Sequence, residues 1–513
     1  MLVAFYYGYK NIDEIRYLFS EYQNIKSKVV NCNGVNLILF GYGADFNSVS
    51  KDKYSLYDSG LDSRNLVIKI EASRVIIESD WLGSVPVFYS YHSGEASTHW
   101  ALLEERNQKP DWIGRYILKK YSYIPNQRTI LENVKRLLSY EKLIISKGKI
   151  NLMEAPVDDI EILQTKPNEV LSLISQSLKS SEVQKFMVPL SSGYDSRLLL
   201  VIANNVRESE NIETTTYTLS EGEDDCFESS VARQISKKLN IKWSKFYLKG
   251  YSKKESTIYN RVGGVTHING DYYDYFAEQY LNSKAGGDNL VVVSGIVGDA
   301  WAGKIRIPKD KKIIRWSDII YSHGIKIYNI FINKKEIKEK FNAENELDIF
   351  YKNRNLSTEN FLIELIRAKI TVINFLCYSF EARGVKVKSP FLDKIIVQKI
   401  LGLPEQEKKH RVWQEKYFSN FKVANKELII KKIKVNYLAI DEGRNKFLNK
   451  SGYDKFLLEQ SLTGKLVYKI INSRIYRNIE SHVQKNKLIE YSIRRLGYIR
   501  TDVMISILKV IYK

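Results

Sequence analysis

The sequence predicts an α/β protein in two parts: a sheet-rich domain over residues 1–155 and a larger domain over 165–513 built on a parallel sheet. Three observations predict it. Short apolar runs punctuated by glycines and closed by a hairpin fill the first 155 residues. Apolar strands then alternate with helical stretches, the pattern of a parallel sheet covered by helices on both faces. From about residue 316 the pattern is mostly helical, basic and aromatic.

In order, residues 35–40 and 65–70 have the apolar character of strands, and 74–78 and 85–89 follow with Gly83 and Ser84 between them. Residues 111–118 read as a helix, and 142–146 and 150–152, joined through Gly148, read as a hairpin. The linker is 155–168, with Pro156, Pro167 and acidic residues. A helix near 170–178 leads into a strand at 186–190. The loop Ser191-Ser-Gly-Tyr-Asp-Ser196 then opens a helical run over 197–204. A strand at 214–218, a helix over 227–239 and a strand at 243–248 come next, and strand 290–294 ends at Gly295. Such alternation gathers ligands at the C-terminal strand ends. Residues 364–377 place apolar side chains at helical spacing and read as a core helix.

The 513 residues carry 79 Lys+Arg against 59 Asp+Glu, a formal charge of +20. A 44% hydrophobic share with 27% charged residues excludes a disordered or collagen-like chain. Cys32, Cys226 and Cys377 are far apart and odd in number, which excludes a disulfide framework or a CxxC zinc site. Reduced thiols and a cytoplasmic location are expected. No apolar run approaches the ~18–20 residues that span a bilayer, and the start lacks a signal peptide's basic flank. The wealth of Lys, Ile, Asn and Tyr reads as the coding bias of an AT-rich genome, so no nucleic-acid partner is expected. Basic tracts at 309–312 and 408–411 read as solvated faces, and the C-terminal 504–513 as packed on its own domain. Six histidines give no ligand pair with metal spacing, so 267–275 reads as a loop beside a substrate pocket.

Two segments carry chemistry. A strand–loop–helix junction at 190–196 points backbone N–H groups and the positive helix end at one spot. Ser191, Ser192 and Ser196 add hydroxyls, and Gly193 permits close backbone approach, which suits a phosphate or pyrophosphate. The GxxxxGK[ST] spacing of a Walker loop is absent. Asp195 in such a site makes sense if it holds Mg²⁺ against phosphates. A serine-capped helix with Asp195 in its first turn accounts for the hexapeptide equally well. The second segment, 291–303, is an apolar strand ending in a glycine-rich turn with Gly298 and Asp299 at its tip. In a parallel sheet it lies on the same edge as the first loop, so Asp195 and Asp299 could clamp one hard cation. Taken alone, it reads as a tight turn with a solvated aspartate.

These segments resemble motifs of the asparagine synthetase-like ATP-pyrophosphatases. Ser191–Ser196 is similar to the family's SGGxDS pyrophosphate loop, and Asp299 stands where SGxGGDE has its aspartate. Asp80-Trp-Leu-Gly-Ser-Val-Pro-Val-Phe-Tyr89 resembles D-x-x-G-x-x-P-L-Y-Y of the N-terminal glutaminase-like domain. Tyr123-Ile-Pro, Arg128-Thr-Ile and Asn133-Val-Lys-Arg-Leu137 resemble the end of that domain. Glu228-Ser-Ser-Val-Ala232 is similar to the helix after the nucleotide-binding strand. Gly384-Val-Lys-Val-Lys-Ser-Pro-Phe-Leu-Asp393 resembles GVEARVPFLD, and Lys432-Ile-Lys434 a downstream R-x-K.

The resemblance implies an Ntn-hydrolase-like α/β sandwich followed by an adenine-nucleotide α-hydrolase-like (HUP) domain with a helical extension. It implies an ATP- and Mg²⁺-dependent, AMP-forming carbon–nitrogen ligase that adenylates a carboxylate, releases pyrophosphate and passes the acyl group to an amine. Ser191, Ser192, Gly193, Asp195 and Ser196 would bind pyrophosphate, with Gly298 in the second turn of the nucleotide site. Asp195 and Asp299 would hold Mg²⁺, the strand ending at Thr218 would meet adenine, and Lys434 would neutralise developing phosphate charge. The chain departs from the family at Leu2, where glutamine-using members have a nucleophilic cysteine, so the glutaminase domain is expected to be degenerate. Ser192 replaces a loop glycine, Ala300 the glutamate after Asp299, and Lys388 the arginine of GVEAR. Lys386 replaces the glutamate that orients or deprotonates the amine, and is expected instead to contact a phosphate or substrate carboxylate.

The partners expected are a small-molecule or peptide carboxylate and an amine donor, with a homodimer or a biosynthetic-cluster partner compatible with the chain. Members without the cysteine resemble β-lactam synthetases and lasso-peptide macrolactam cyclases, so intramolecular ring closure is one specific form of the activity. Amidation of an acidic sugar in polysaccharide assembly is another. A tRNA-modifying ATP-pyrophosphatase and a non-catalytic scaffold are the alternatives of other classes.

Overall fold

The computed structural model describes residues 3–10, 12–18, 25–42, 53–56, 65–104, 109–121, 123–154, 161–179, 185–218, 227–247, 271–283, 290–301, 315–316, 318–319, 334–354, 360–373, 375–381 and 383–428. The architecture is α/β, with two antiparallel sheets followed by one parallel sheet and helices.

The N-terminal part runs β1 (Val3–Gly8), α1 (Ile12–Leu18), β2 (Ile25–Cys32), β3 (Val35–Tyr42), β4 (Lys53–Leu56), β5 (Leu66–Glu71), β6 (Arg74–Ser79), β7 (Phe88–Ser90) and β8 (Glu95–Ser97). It continues through α2 (Ala101–Glu104), α3 (Trp112–Tyr121), β9 (Lys135–Arg136), β10 (Glu141–Ser146) and β11 (Lys149–Glu154). The sheets are ordered β2-β3-β1-β8-β7-β9 and β11-β10-β6-β5-β4. Strand alternation sends successive side chains to opposite faces. Phe5, Tyr7, Leu37 and Leu39 accordingly pack against Leu66, Ile68, Val75 and Ile145 of the other sheet. Tyr6, Ile38 and Phe40 face the other way, onto Leu102, Leu103 and Ile117 from α2 and α3. The expected hairpin forms, with Lys147 at φ 49° and Gly148 at φ 72° closing the β10–β11 pair. The strand expected over 85–89 is shorter, because Pro86 offers no N–H to a ladder. Ahead of it the Asp80 carboxylate takes Leu82 N and Ser84 N at 2.9 and 3.0 Å and so holds a turn.

The second part contains α4 (Pro167–Lys179), β12 (Lys185–Pro189), α5 (Tyr194–Val206), β13 (Ile212–Thr218), α6 (Phe227–Lys238), β14 (Lys242–Tyr247), α7 (Asp271–Asn282) and β15 (Leu290–Val293). After these come α8 (Lys334–Asn353), α9 (Phe361–Ile373), α10 (Phe375–Glu381), β16 (Lys386–Lys388), α11 (Lys394–Leu401), α12 (Glu405–Lys408) and α13 (Val412–Ser419). The strands pair in parallel in the order β14-β13-β12-β15-β16. Phe186, Val188, Val291 and Val293 join the core with Val170, Leu199 and Ile235 of α4, α5 and α6. Met187, Val292 and Val387 join Phe276 of α7 and Phe380 of α10 on the other face. The core helix expected over 364–377 is present as α9 and the start of α10, with Leu365, Ile366 and Cys377 buried.

The two parts pack on one another. Arg128 binds both oxygens of Glu346 on α8, at 2.5 and 2.6 Å, and Asp111 at 2.5 Å. Trp81 donates to Leu392 O at 2.9 Å and stacks on Trp301 with centroids 6.2 Å apart. Among the described residues no helix is long and apolar enough to cross a membrane.

Candidate functional site

The site follows from strand order. From β12 the chain passes through α5 to β13 on one side, whereas β15 lies on the other side of β12 and is followed outward by β16. Such a switch in strand order marks the C-terminal strand ends where open α/β sheets bind ligands. Residues 190–196 and 294–299 follow the C-terminal ends of β12 and β15 there.

Helix α5 begins at Tyr194, three residues before the expected start, so Asp195 and Ser196 sit in its first turn. No side chain caps the helix at Gly193. Ser191 Oγ accepts from Gly193 N at 3.1 Å and lies 3.1 Å from Ser196 Oγ, which also accepts from Ser191 N at 3.2 Å. The hydroxyls thus close the loop on itself around the helix start.

The second turn fits against the first without room for side chains. A Cβ on Gly295 would stand 2.8 Å from Ser196 N, and one on Gly298 would stand 2.6 Å from Asp195 Cγ. Between them Val297 has φ 69°, a left-handed conformation that strains a β-branched residue by about 1–3 kcal/mol. A helical turn opens at Gly298 and carries Asp299. Both carboxylates therefore occupy first helical turns after adjacent parallel strands. Ser294, at the end of β15, buries a hydroxyl that has no hydrogen-bond partner among the described residues.

Asp195 is 15% exposed. Burial pushes its carboxyl up to about 6, Arg411 opposes that rise, and the nearby charge of Asp299 adds to it. Arg411 Nη1 donates to Asp195 Oδ1 at 3.0 Å, and Gln414 on α13 also bonds this carboxylate. Arg411 (φ 57°) and His410 (φ 54°) are consecutive left-handed residues at the start of α13. The guanidiniums of Arg411 and Arg197 lie 5.1 and 5.3 Å from the Tyr194 ring. Arg197 is buried and ties Ser192 O (2.8 Å) to Val423 O (3.0 Å) and Asn425 Oδ1 (2.9 Å). On α9, burial draws Lys369 down to about 8, and the charge of Asp299 opposes that fall.

Among the residues singled out from sequence, Ser191, Gly193, Asp195, Ser196, Gly298 and Asp299 come together here, with Ser192 in the same loop. Thr218 ends β13, buried and in register with Tyr247. Lys386 opens the edge strand β16 opposite Val291, three residues before Ser294, which is ~10 Å back from the strand ends. Lys388 is fully buried and donates to Ser177 O at 2.6 Å, a packing role. Lys434, like Cys226 and the segments 309–312 and 504–513, lies outside the described residues. So do 267–270 of the tyrosine-rich segment, whose continuation from Asp271 is helix α7 rather than loop.

The 408–411 tract corrects the sequence reading. Arg411 is not a solvated charge: it is 14% exposed and paired with Asp195. Neither Gln414 nor Lys369 was legible as a site residue. Lys369, set among the apolar residues of α9, was the one available signal, since burying an ammonium needs a partner.

The donor set fits a magnesium-bound nucleotide. Two interacting carboxylates, glycines that keep the turns in contact, and hydroxyls at a helix start match what Mg²⁺ and phosphate oxygens require. Among the described residues no three His, Cys, Asp or Glu side chains converge on one point. A cation at Asp195 and Asp299 would thus complete its shell with phosphate and water. No protein-family model matches the chain, and no curated protein matches it.

Proposed function

We propose that the protein is an ATP- and Mg²⁺-dependent amide-forming ligase that adenylates a substrate carboxylate and transfers the acyl group to an amine. The single observation that carries the reading is the meeting of Asp195 with the Gly295–Asp299 turn at the switch point of the parallel sheet. On this reading the N-terminal sheets are an Ntn-hydrolase-like sandwich and the parallel sheet is a HUP domain.

A substrate carboxylate oxygen attacks the α-phosphorus of ATP, and pyrophosphate leaves with the bonding pair. The start of α5, with the hydroxyls of Ser191 and Ser196, binds the leaving group. Arg411 and Lys369 bring positive charge to the same strand ends, where low dielectric strengthens it. Asp195 and Asp299 would hold Mg²⁺, which would supply charge neutralisation to the phosphates. The amine nitrogen then attacks the acyl carbon, AMP departs and the nitrogen loses a proton. The amine comes from the substrate itself or from solution. Lys434 is assigned to phosphate neutralisation, and Lys386, at the far end of β16 from the nucleotide turns, is given no role in this site.

ATP–pyrophosphate exchange across a panel of carboxylic acids tests this. Exchange with one acid, lost in Asp195→Asn, is the expected result. Absence of both exchange and ATP binding would instead favour a scaffold.

A further inference from the structure

A small cleft, open at its mouth, lies at the seam between the two parts of the chain. Arg136, Ser139 and Tyr140 wall one side, and Arg354, Glu364 and Arg367 the other. Its charges do not balance. Arg354 Nη2 and Arg367 Nη1 share a single oxygen of Glu364, Oε1, at 3.0 and 2.6 Å. Arg136 is 3% exposed and donates to the carbonyls of Pro125 and Asn126 at 3.3 and 3.5 Å. Near it, Glu141 has its oxygens occupied by Gln127 Nε2 and Leu138 N. Three guanidiniums against two carboxylates leave a positive charge where burial makes it costly. Burial accordingly draws Arg136 down to about 10.

The cleft also has polar atoms with nothing to bond. Arg354 Nε, Tyr140 OH and Ser139 Oγ are buried and have no hydrogen-bond partner among the described residues. Arg354 is 9% exposed and lies on the Tyr140 ring, 3.4 Å from its centroid, so cation and phenol are held as one unit. A buried donor left unpaired costs ~1–3 kcal/mol, and three around one excess positive charge point to a missing acceptor that is negative.

We propose that this seam cleft binds a small oxyanion, of the size of inorganic phosphate or a short carboxylate. Arg136 and Arg354 supply charge, and Tyr140 and Ser139 donate hydroxyls. The cleft is distinct from the Asp195–Asp299 site and does not depend on the ligase reading. Arg367 and Ala368 face the cleft while Lys369 interacts with Asp299, so α9 stands between the two. An anion held there ties α9 to the N-terminal sheets.

Isothermal titration of the full chain with phosphate, sulfate and acetate, in chloride-free buffer, tests the site. The wild type binds at least one of them saturably. Tyr140→Phe and Ser139→Ala each weaken that binding roughly tenfold, by the worth of one hydrogen bond to an anion. Both variants keep or raise the unfolding midpoint of the free protein, because each removes an atom that has no partner in the protein. Ser191→Ala, in the nucleotide loop, leaves the binding that Tyr140→Phe and Ser139→Ala weaken unchanged and so separates the two sites. Binding of phosphate and sulfate alone assigns a tetrahedral anion, and binding of acetate alone a carboxylate. Three results each overturn the proposal: no saturable binding up to about 10 mM of any anion, binding that both seam variants leave intact, or binding that Ser191→Ala alone removes.

Discussion

Replacing Gly298 or Gly295 by alanine tests whether the two turns must touch. A Cβ at Gly298 would stand 2.6 Å from Asp195 Cγ and 2.8 Å from Oδ1, about 0.8 and 0.6 Å inside the 3.4 Å at which ordinary contact begins. The carboxylate must move by about that distance, away from the position in which it meets Arg411 and the charge of Asp299. A displacement near 1 Å at a reacting centre costs ~10²-fold in rate, and a comparable loss is expected in Mg–ATP affinity. At Gly295 the obstacle is backbone, Ser196 N at 2.8 Å, so the turns themselves must part. Neither glycine has a positive φ, and alanine favours a helix start such as Gly298, so the steric term is isolated from backbone strain. Gly193→Ala is the control, since its Cβ would meet a single side-chain oxygen, Ser191 Oγ, at 3.1 Å. Titration with Mg–ATP reads affinity directly and needs no knowledge of the acid substrate. Gly298→Ala and Gly295→Ala should lose about two orders of magnitude and Gly193→Ala less than one. Wild-type affinity in both of the first two would refute the argument that contact between the turns builds the site.

Three further outcomes are expected. Asp195→Asn should weaken Mg–ATP binding by roughly tenfold to a hundredfold in equilibrium dialysis, while leaving binding of the metal-free nucleotide less affected. His99 is buried beside Phe40, and burial draws it from 6.5 to about 3. The unfolded chain then takes up its proton first, so stability present above pH 6.5 is lost as pH falls. The loss is about 2 kcal/mol by pH 5, and His99→Gln should flatten that part of the urea-midpoint profile. Arg128→Met removes the fork that joins Glu346 and the buried Asp111, and should destabilise the protein by about 2 kcal/mol in denaturant unfolding.

Much of the site was legible locally. A buried strand followed by Ser-Ser-Gly-Tyr-Asp-Ser, and another followed by Gly-Ile-Val-Gly-Asp, each state in adjacent residues what the backbone does there. Parallel pairing follows from the alternation with helices, and it puts both turns on one edge. Less local features were harder to read. Helix α5 starts three residues before the spacing predicts, because Asp195 and Ser196 suit turns as well as first helical turns. The strand expected over 85–89 begins only at Phe88, because Pro86 has no donor for a ladder, whatever the apolar character of Val85 and Val87.

What the sequence determined by itself is periodicity: which residues form strands and helices, which faces are apolar, and where glycine permits a close approach. The tertiary structure alone decided which distant charges meet. Arg411 lies 216 residues from Asp195, in a run of lysines that looks solvated, and reaches it because two consecutive left-handed residues turn the chain into α13 beside α5. The three arginines at the seam come from both parts of the chain, and their surplus charge exists only once those parts are packed together. Local pattern carries burial and turn chemistry, whereas pairing between remote charges depends on how elements pack, and no window of neighbouring residues contains that information.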